Sequence, residues 1–320
     1  MLEWIFLFGR IIAVKRLLYK LLCVVFFAAI MAGCAMFAVR IKDNITREYV
    51  VPEQYGINGQ ITYSYTNDSD TDIVSANENK KCYFVRGNNF TDNEISIINI
   101  IIENIRAMNE TITINTSISP RSMRILLKES LKTPDIFWVT GYQMEYNKNG
   151  QTYYKIYPAY SMSANSKNSL EEKLQKETDL FLQNNAEALN HDAWTAAYAV
   201  NNWLCQNVTY TDEKNIQNGQ YFPYNSIVAP LLRKEAICSG YAKTFAYLMN
   251  KAGYEAAYCT GYTNGGIYHA WNAIVYNGEI TYIDSTYNAS GNHMAYFCRN
   301  KEDLKERTEN SIIWFSASDD

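Results

Sequence analysis

Two strand-like runs, Tyr268 to Tyr276 and Ile280 to Asp284, flank the dipeptide Asn277-Gly278. No other stretch of the chain constrains its fold as tightly. A two-residue hairpin turn needs positive φ at its centre, which Asn and Gly tolerate best, so the runs are antiparallel neighbours. The turn also sets their register. Counting outward, Tyr276 faces Glu279, Trp271 faces Asp284 and His269 faces Thr286. His269 and Asp284 are then diagonal neighbours on one face of the ladder, within reach of each other's side chains.

Upstream, Cys238 opens a helical pattern in which Tyr241, Phe245, Leu248 and Met249 share a face and Gly253 supplies the stop. The cysteine therefore sits at or near a helix N-terminus, where backbone N–H groups and the helix dipole favour a thiolate. With the hairpin this gives a nucleophile, an imidazole to move its proton and a carboxylate to orient the imidazole. Each residue alone has a blander reading. A buried cysteine is usually structural, a strand histidine is usually a satisfied core group, and an Asp near a strand end is usually a turn residue. All three in this order, two of them brought together by a turn, favour catalysis. The hairpin does not bring Cys238 to His269, because that contact depends on how the helix packs.

These residues resemble the transglutaminase-like superfamily, in the branch found in bacterial extracellular proteins. The resemblance runs from Ala193 to Asn288. It is carried by the helix ending Asn207-Val208-Thr209-Tyr210-Thr211-Asp212 and the turn Pro230-Leu231-Leu232. It is carried also by Cys238-Ser239-Gly240-Tyr241-Ala242, His269-Ala270-Trp271-Asn272 and Asp284-Ser285-Thr286. Two positions depart from the family pattern, Ala236 where glycine is common and Tyr287 where tryptophan is common. The resemblance implies an α+β, papain-like core with the nucleophile at a helix N-terminus packed on an antiparallel sheet. It makes Cys238 the nucleophile, His269 the general base and acid, and Asp284 the orienting carboxylate. The chemistry it implies is acyl transfer from a peptide or protein amide through a thioester, ending in hydrolysis, as in a protease or amidase, or in transamidation. It implies no cofactor. The Cys238 backbone N–H is a natural oxyanion donor at a helix start, and the sequence does not identify a second. The competing reading is a non-catalytic module that binds peptide or cell-wall material on the same fold.

At the other end of the chain, Leu21 to Val39 carries no charge, is preceded by Arg10, Lys15, Arg16 and Lys20, and is followed by Arg40 and Lys42. It is long enough to span a bilayer with its N-terminal side in the cytoplasm. Met31-Ala32-Gly33-Cys34 offers a second reading, a lipoprotein box with Cys34 lipidated. Either way the remainder lies outside the membrane. The expected organisation is thus residues 1–42 as N-terminal membrane anchor or lipoprotein signal, 43–81 as polar stalk, 82–165 as a small α+β domain and 166–320 as the transglutaminase-like domain.

Within that frame, Thr91 to Glu94 reads as a capping box ahead of the stripe Ile98, Ile101, Ile102, Ile105 and Met108. A helix over 122–131 and strands over 136–146 and 152–160 follow. Ser169 to Glu172 reads as another capping box, opening a helix to Leu189, and Asp192 caps the next helix. The aromatic loop Asn215 to Asn225 is a cleft wall or a plain connector. Lys301 to Arg307 reads as a surface helix, with Trp314 and Phe315 docking the C-terminus. His191 and His293 complete no site. A net charge of −4 without a basic patch excludes nucleic acid as a partner. The seven cysteines show no metal-type spacing; Cys205 and Cys259 read as small core residues, and a disulfide stays open for a domain outside the cell. The expected partner is a peptide or protein substrate, with cell-surface material among the candidates.

Overall fold

The computed structural model describes residues 45–50, 81–87, 90–147, 153–211, 223–291, 294–304 and 307–318. The expected anchor or lipoprotein signal, most of the expected stalk, most of the aromatic loop and His293 lie outside these residues. Among the described residues no helix is long and apolar enough to cross a membrane.

In chain order the elements are β1 (Ile45–Val50), β2 (Lys81–Gly87), α1 (Asp92–Arg106), β3 (Ile112–Asn115), α2 (Pro120–Ser130), β4 (Val139–Asn147), β5 (Tyr153–Tyr160) and α3 (Ala164–Asn184). The short α4 (Ala186–Leu189) leads into α5 (Ala193–Asn207) and β6 (Thr209–Tyr210). After a π-helical turn, Ala229–Arg233, come β7 (Glu235–Ala236), α6 (Cys238–Lys251), β8 (Ala256–Thr263), β9 (Tyr268–Tyr276), β10 (Glu279–Ile283), α7 (Ser285–Ala289) and β11 (Arg307–Ser318).

The architecture is α+β with two antiparallel sheets, one of four strands in the order β1-β4-β5-β3 and one of five in the order β10-β9-β8-β11-β2. One apolar core runs through both, from Phe84 and Ile98 through Met144 to Phe245 and Phe315, and a smaller one gathers Cys259, Trp271, Tyr282, Ile312 and Trp314. The stretch expected to be a stalk contains β1, which pairs with β4 from Ile45↔Asn147 to Val50↔Tyr142. Its β-branched and aromatic residues Ile45, Thr46, Tyr49 and Val50 suit a strand better than a polar linker. At the head of the expected small domain, β2 pairs with β11 at the edge of the larger sheet.

Local signals explain most helix starts. Thr91 Oγ1 accepts from Glu94 N at 3.3 Å while Glu94 Oε2 accepts from Thr91 N at 3.0 Å, the reciprocal capping box, and Ile98, Ile101, Ile102 and Ile105 are buried on one face. Asp192 caps α5 through Thr195 N at 2.7 Å. The helix expected to open at Ser169 instead begins at Ala164, because Ser163 accepts from Ser166 N at 3.3 Å and nothing between them breaks a helix. That helix also ends sooner, at Asn184. Among the described residues the expected helix over Lys301 to Arg307 does not form: residues 301–304 are turns, and Arg307 opens β11. Trp314 and Phe315 do dock the C-terminal segment, as buried residues of β11 between β8 and β2.

The centre of the larger half is α6. The sequence pattern predicts one apolar face, yet every residue from Cys238 to Asn250 is buried. The sheet covers one side of the helix, and α5, α7 and the π-helical turn cover the rest.

A candidate cysteine active site

Cys238 is the first residue of α6, entered through Ile237 in an extended conformation (φ −90°, ψ 175°). Ile237 N donates to Tyr224 O at 3.2 Å, fixing where the helix begins. The third residue of the Cys-Ser-Gly sequence must be small, because a Cβ on Gly240 would stand 2.3 Å from that same carbonyl oxygen and 2.9 Å from Ala236 Cβ.

The hairpin forms as its turn dictates. Asn277 and Gly278 have φ of 52° and 81°, and the ladder runs from Glu279↔Tyr276 to Ile283↔Asn272. There it stops. The expected pairing of His269 with Thr286 does not form, because Asp284 leaves the strand and becomes the N-cap of α7. Its N–H donates to Tyr296 O at 2.9 Å and its Oδ1 accepts from Tyr287 N at 3.1 Å. The other oxygen, Oδ2, is 2.7 Å from His269 Nε2. The Cys238 thiol lies beside the same ring, close enough to help raise it. With Nε2 committed to Asp284, Nδ1 is the nitrogen left for the sulfur.

Helix and hairpin are joined by Asn272. Its Nδ2 donates to Ala242 O on α6 at 2.8 Å and to Ala257 O on β8 at 2.9 Å. This buried amide sits on the strand that carries His269 and grips the helix that carries Cys238. It answers the packing question the hairpin leaves open, and no local sequence signal marks it. A second buried pair steadies α7. Asn288 Nδ2 donates to Asn201 Oδ1 on α5 at 2.9 Å, and Asn288 Oδ1 accepts from Tyr296 N at 2.8 Å.

Burial pushes the His269 imidazole down, but the charge and hydrogen bond of Asp284, with Cys238 adding to them, raise it to about 9. Asp284 is almost wholly buried, which alone would raise its carboxyl; the charge and hydrogen bond of His269, then the Arg307 guanidinium and the Tyr287 N–H, hold it below the ordinary carboxylate value. Arg307, its side chain 5% exposed, forms an ion pair with Asp284 Oδ2. Sequence reasoning missed it, since the residue closes a charged run that reads as a surface helix. Its guanidinium carbon lies 5.0 to 5.3 Å from the ring centroids of Tyr287, Trp271 and Tyr296. Two of those rings also flank the imidazole, Trp271 at 6.1 Å and nearly parallel, Tyr287 at 5.0 Å and tilted.

Of the other expected features, His191 is exposed beside Thr195 and Asp192, away from this cluster. Cys82, Cys205, Cys259 and Cys298 are unpaired, and burial raises all four thiols. Among the described residues no group of three or more His, Cys, Asp or Glu side chains is placed to hold a metal.

Residues 182–289 match the family model of the transglutaminase-like superfamily. The chain carries a transglutaminase-like core. That match spans the cysteine helix, the hairpin and Asp284 together. No curated protein matches the chain. Among solved structures, a TGase is similar at 17% identity and a TM-score of 0.32 over 55% of this chain and 50% of its own, so the match spans half of that protein's length. LapG of Legionella pneumophila is similar at 12% identity and a TM-score of 0.32, covering 43% of this chain and 79% of its own. A proposed cysteine protease from Cytophaga hutchinsonii is similar at 12% identity and a TM-score of 0.29, covering 77% and 84%.

Proposed function

We propose that this protein is a cysteine acyl-transfer enzyme acting on peptide or protein amides, held at the membrane by its N-terminal segment with the transglutaminase-like core outside the cell. The anchoring is supported by the uncharged run Leu21 to Val39 between basic flanks. The chemistry is supported by one observation above others: His269 Nε2 stands 2.7 Å from a buried carboxylate oxygen while the same ring reaches the thiol at a helix N-terminus.

In this reading the Cys238 sulfur attacks the amide carbonyl carbon, and the carbonyl oxygen takes the electron pair as a tetrahedral oxyanion beside the Cys238 N–H. Collapse breaks the C–N bond, and the His269 ring gives its proton to the departing amine. A thioester and a neutral imidazole are left. Water or a primary amine then attacks the thioester, His269 takes the attacker's proton, and the C–S bond breaks to return the sulfur and release an acid or a new amide. An imidazole raised to about 9 is protonated at neutral pH, as the leaving-group step requires. Asp284 holds the ring in place through both halves.

The test is incubation of the purified protein with a peptide library, with and without a primary amine, read by mass. Hydrolysis adds water to a fragment, transamidation adds the amine, and Cys238→Ala abolishes both. Labelling by iodoacetamide near neutral pH is the simpler check. Should Cys238 label no faster than an ordinary thiol, the enzyme reading fails.

A further inference from the structure

We propose that Arg307 is a positioning residue of this site, a fixed cation that keeps Asp284 charged and aimed whether or not His269 carries its proton. The inference rests on the catalytic reading of Cys238, His269 and Asp284 and deepens it.

Asp284 exposes 1% of its side chain and His269 7%. A carboxylate so buried beside a ring that alternates between charged and neutral would lose its partner each time the ring gave up a proton, and a lone buried charge is costly. Arg307 removes that alternation. Its side chain, 5% exposed, ion-pairs with the same Oδ2 that meets His269, and a guanidinium stays protonated at every pH a protein meets. Its position is over-determined by Trp271, Tyr287 and Tyr296, whose ring faces attract a cation. Because Arg307 comes from β11 and the other three from α6, β9 and the start of α7, the final strand of the larger sheet completes the site.

The cluster then reads as a row of alternating charges, sulfur, imidazolium, carboxylate and guanidinium. Loss of the last cation raises the pH at which every neighbouring group gives up its proton. The groups that face this row are Cys205 from α5, Cys259 from β8, Tyr287 from α7, Tyr296 from the segment before β11, and Glu309 and Arg307 from β11, with Tyr282 on β10 beside Glu309. Of these, only Arg307 brings Asp284 a second cation.

The experiment compares the full-length protein with Arg307→Gln, which keeps an N–H donor without charge, and Arg307→Lys, which keeps the charge. The readouts are the pH profile of Cys238 labelling by iodoacetamide, thermal unfolding, and the His269 ring titration by NMR in a Cys238→Ala background. Arg307→Gln moves the acid limb of labelling upward by about one pH unit, which slows labelling about tenfold at pH values below that limb. It also raises the His269 titration, whereas Arg307→Lys leaves the profile in place. A residue that only stiffens the fold would lower the melting temperature without moving either titration, and that result overturns the proposal. Should Arg307→Gln not fold, an upward-displaced profile in Arg307→Lys overturns it equally. If wild-type Cys238 proves unreactive, the acyl-transfer reading fails by itself, and an unmoved His269 titration in the Gln variant is still what refutes the role of Arg307.

Discussion

Asp284 Oδ2 lies 2.7 Å from His269 Nε2, although the two residues are not paired across the hairpin that brings them together. The ladder ends one residue before Asp284, and the carboxylate divides its oxygens between two tasks, Oδ1 capping α7 and Oδ2 facing the ring. Asp284→Asn separates them. The amide oxygen still accepts from Tyr287 N, but an amide nitrogen facing His269 makes Nε2 an acceptor and puts the ring proton on Nδ1, the wrong side for taking one from sulfur. The expected loss in kcat/KM is on the order of 10²–10⁴. Asp284→Ala loses the cap as well, for about 1 kcal/mol of further destabilisation. Kinetics and urea unfolding on both variants separate orientation from capping.

Stability should depend on pH through the same pair. The folded-state value of His269 is raised from 6.5 to about 9, so its contribution is fully present below pH 6.5 and is lost as pH rises through about 9. Asp284 is lowered from 3.8, so its contribution is present above that value and is lost as pH falls through its lower folded one. Unfolding free energy is therefore expected to hold level between these limits and decline on the alkaline side. His269→Gln, measured in urea at several pH values, should remove the alkaline decline that belongs to the ring and leave only the background of other groups. An identical slope in both proteins would show that His269 is not the group responsible.

Gly240 tests how tightly the start of α6 is held. An added methyl would meet Tyr224 O at 2.3 Å, a backbone atom that cannot swing away like a side chain end. Gly240→Ala must shift the helix or the 224–226 segment, with an expected cost of about 1–3 kcal/mol. Since Cys238 lies two positions earlier, labelling of its sulfur should slow in the folded variant. Equal labelling and equal melting temperature would mean that the contact relaxes freely.

What the sequence made legible was what short-range chemistry decides. Asn277-Gly278 specifies its turn by backbone sterics, so the β9–β10 register follows from counting outward along the chain, up to the residue where Asp284 caps a helix instead. Thr91 and Asp192 announced helix starts because their partners lie three residues away. Ser169 reads as a helix start, but Ser163 already caps the helix six residues earlier and nothing between the two breaks it. The pieces that tie the site together are long-range. Arg307 meets Asp284 across a turn whose charges imitate a helix, Asn201 reaches Asn288 from another helix, and β2 finds β11 across most of the described chain. Nothing near any of these residues in sequence encodes its partner, because the pairing is chosen by how the sheets and helices pack.

Asn272 is where that packing can be tested most directly. It is fully buried, its two amide protons go to Ala242 O and Ala257 O, and its Oδ1 has no hydrogen-bond partner among the described residues. Asn272→Leu keeps the volume and removes an unsatisfied acceptor, but it takes the side-chain donor from two buried carbonyls. Leaving a buried polar group without its partner costs about 1–3 kcal/mol, so two such losses less one gain at Oδ1 leave an expected net loss of about 1–3 kcal/mol. The loss should also appear at the site. With the strand no longer gripping α6, the sulfur and the imidazole are free to drift apart, and Cys238 labelling near neutral pH should slow by more than the unfolded fraction accounts for. Urea unfolding and labelling rates on the same sample measure both. A variant as stable and as reactive as the wild type would show that apolar contacts alone hold the helix against the hairpin, and that the amide is dispensable to the geometry of Cys238 and His269.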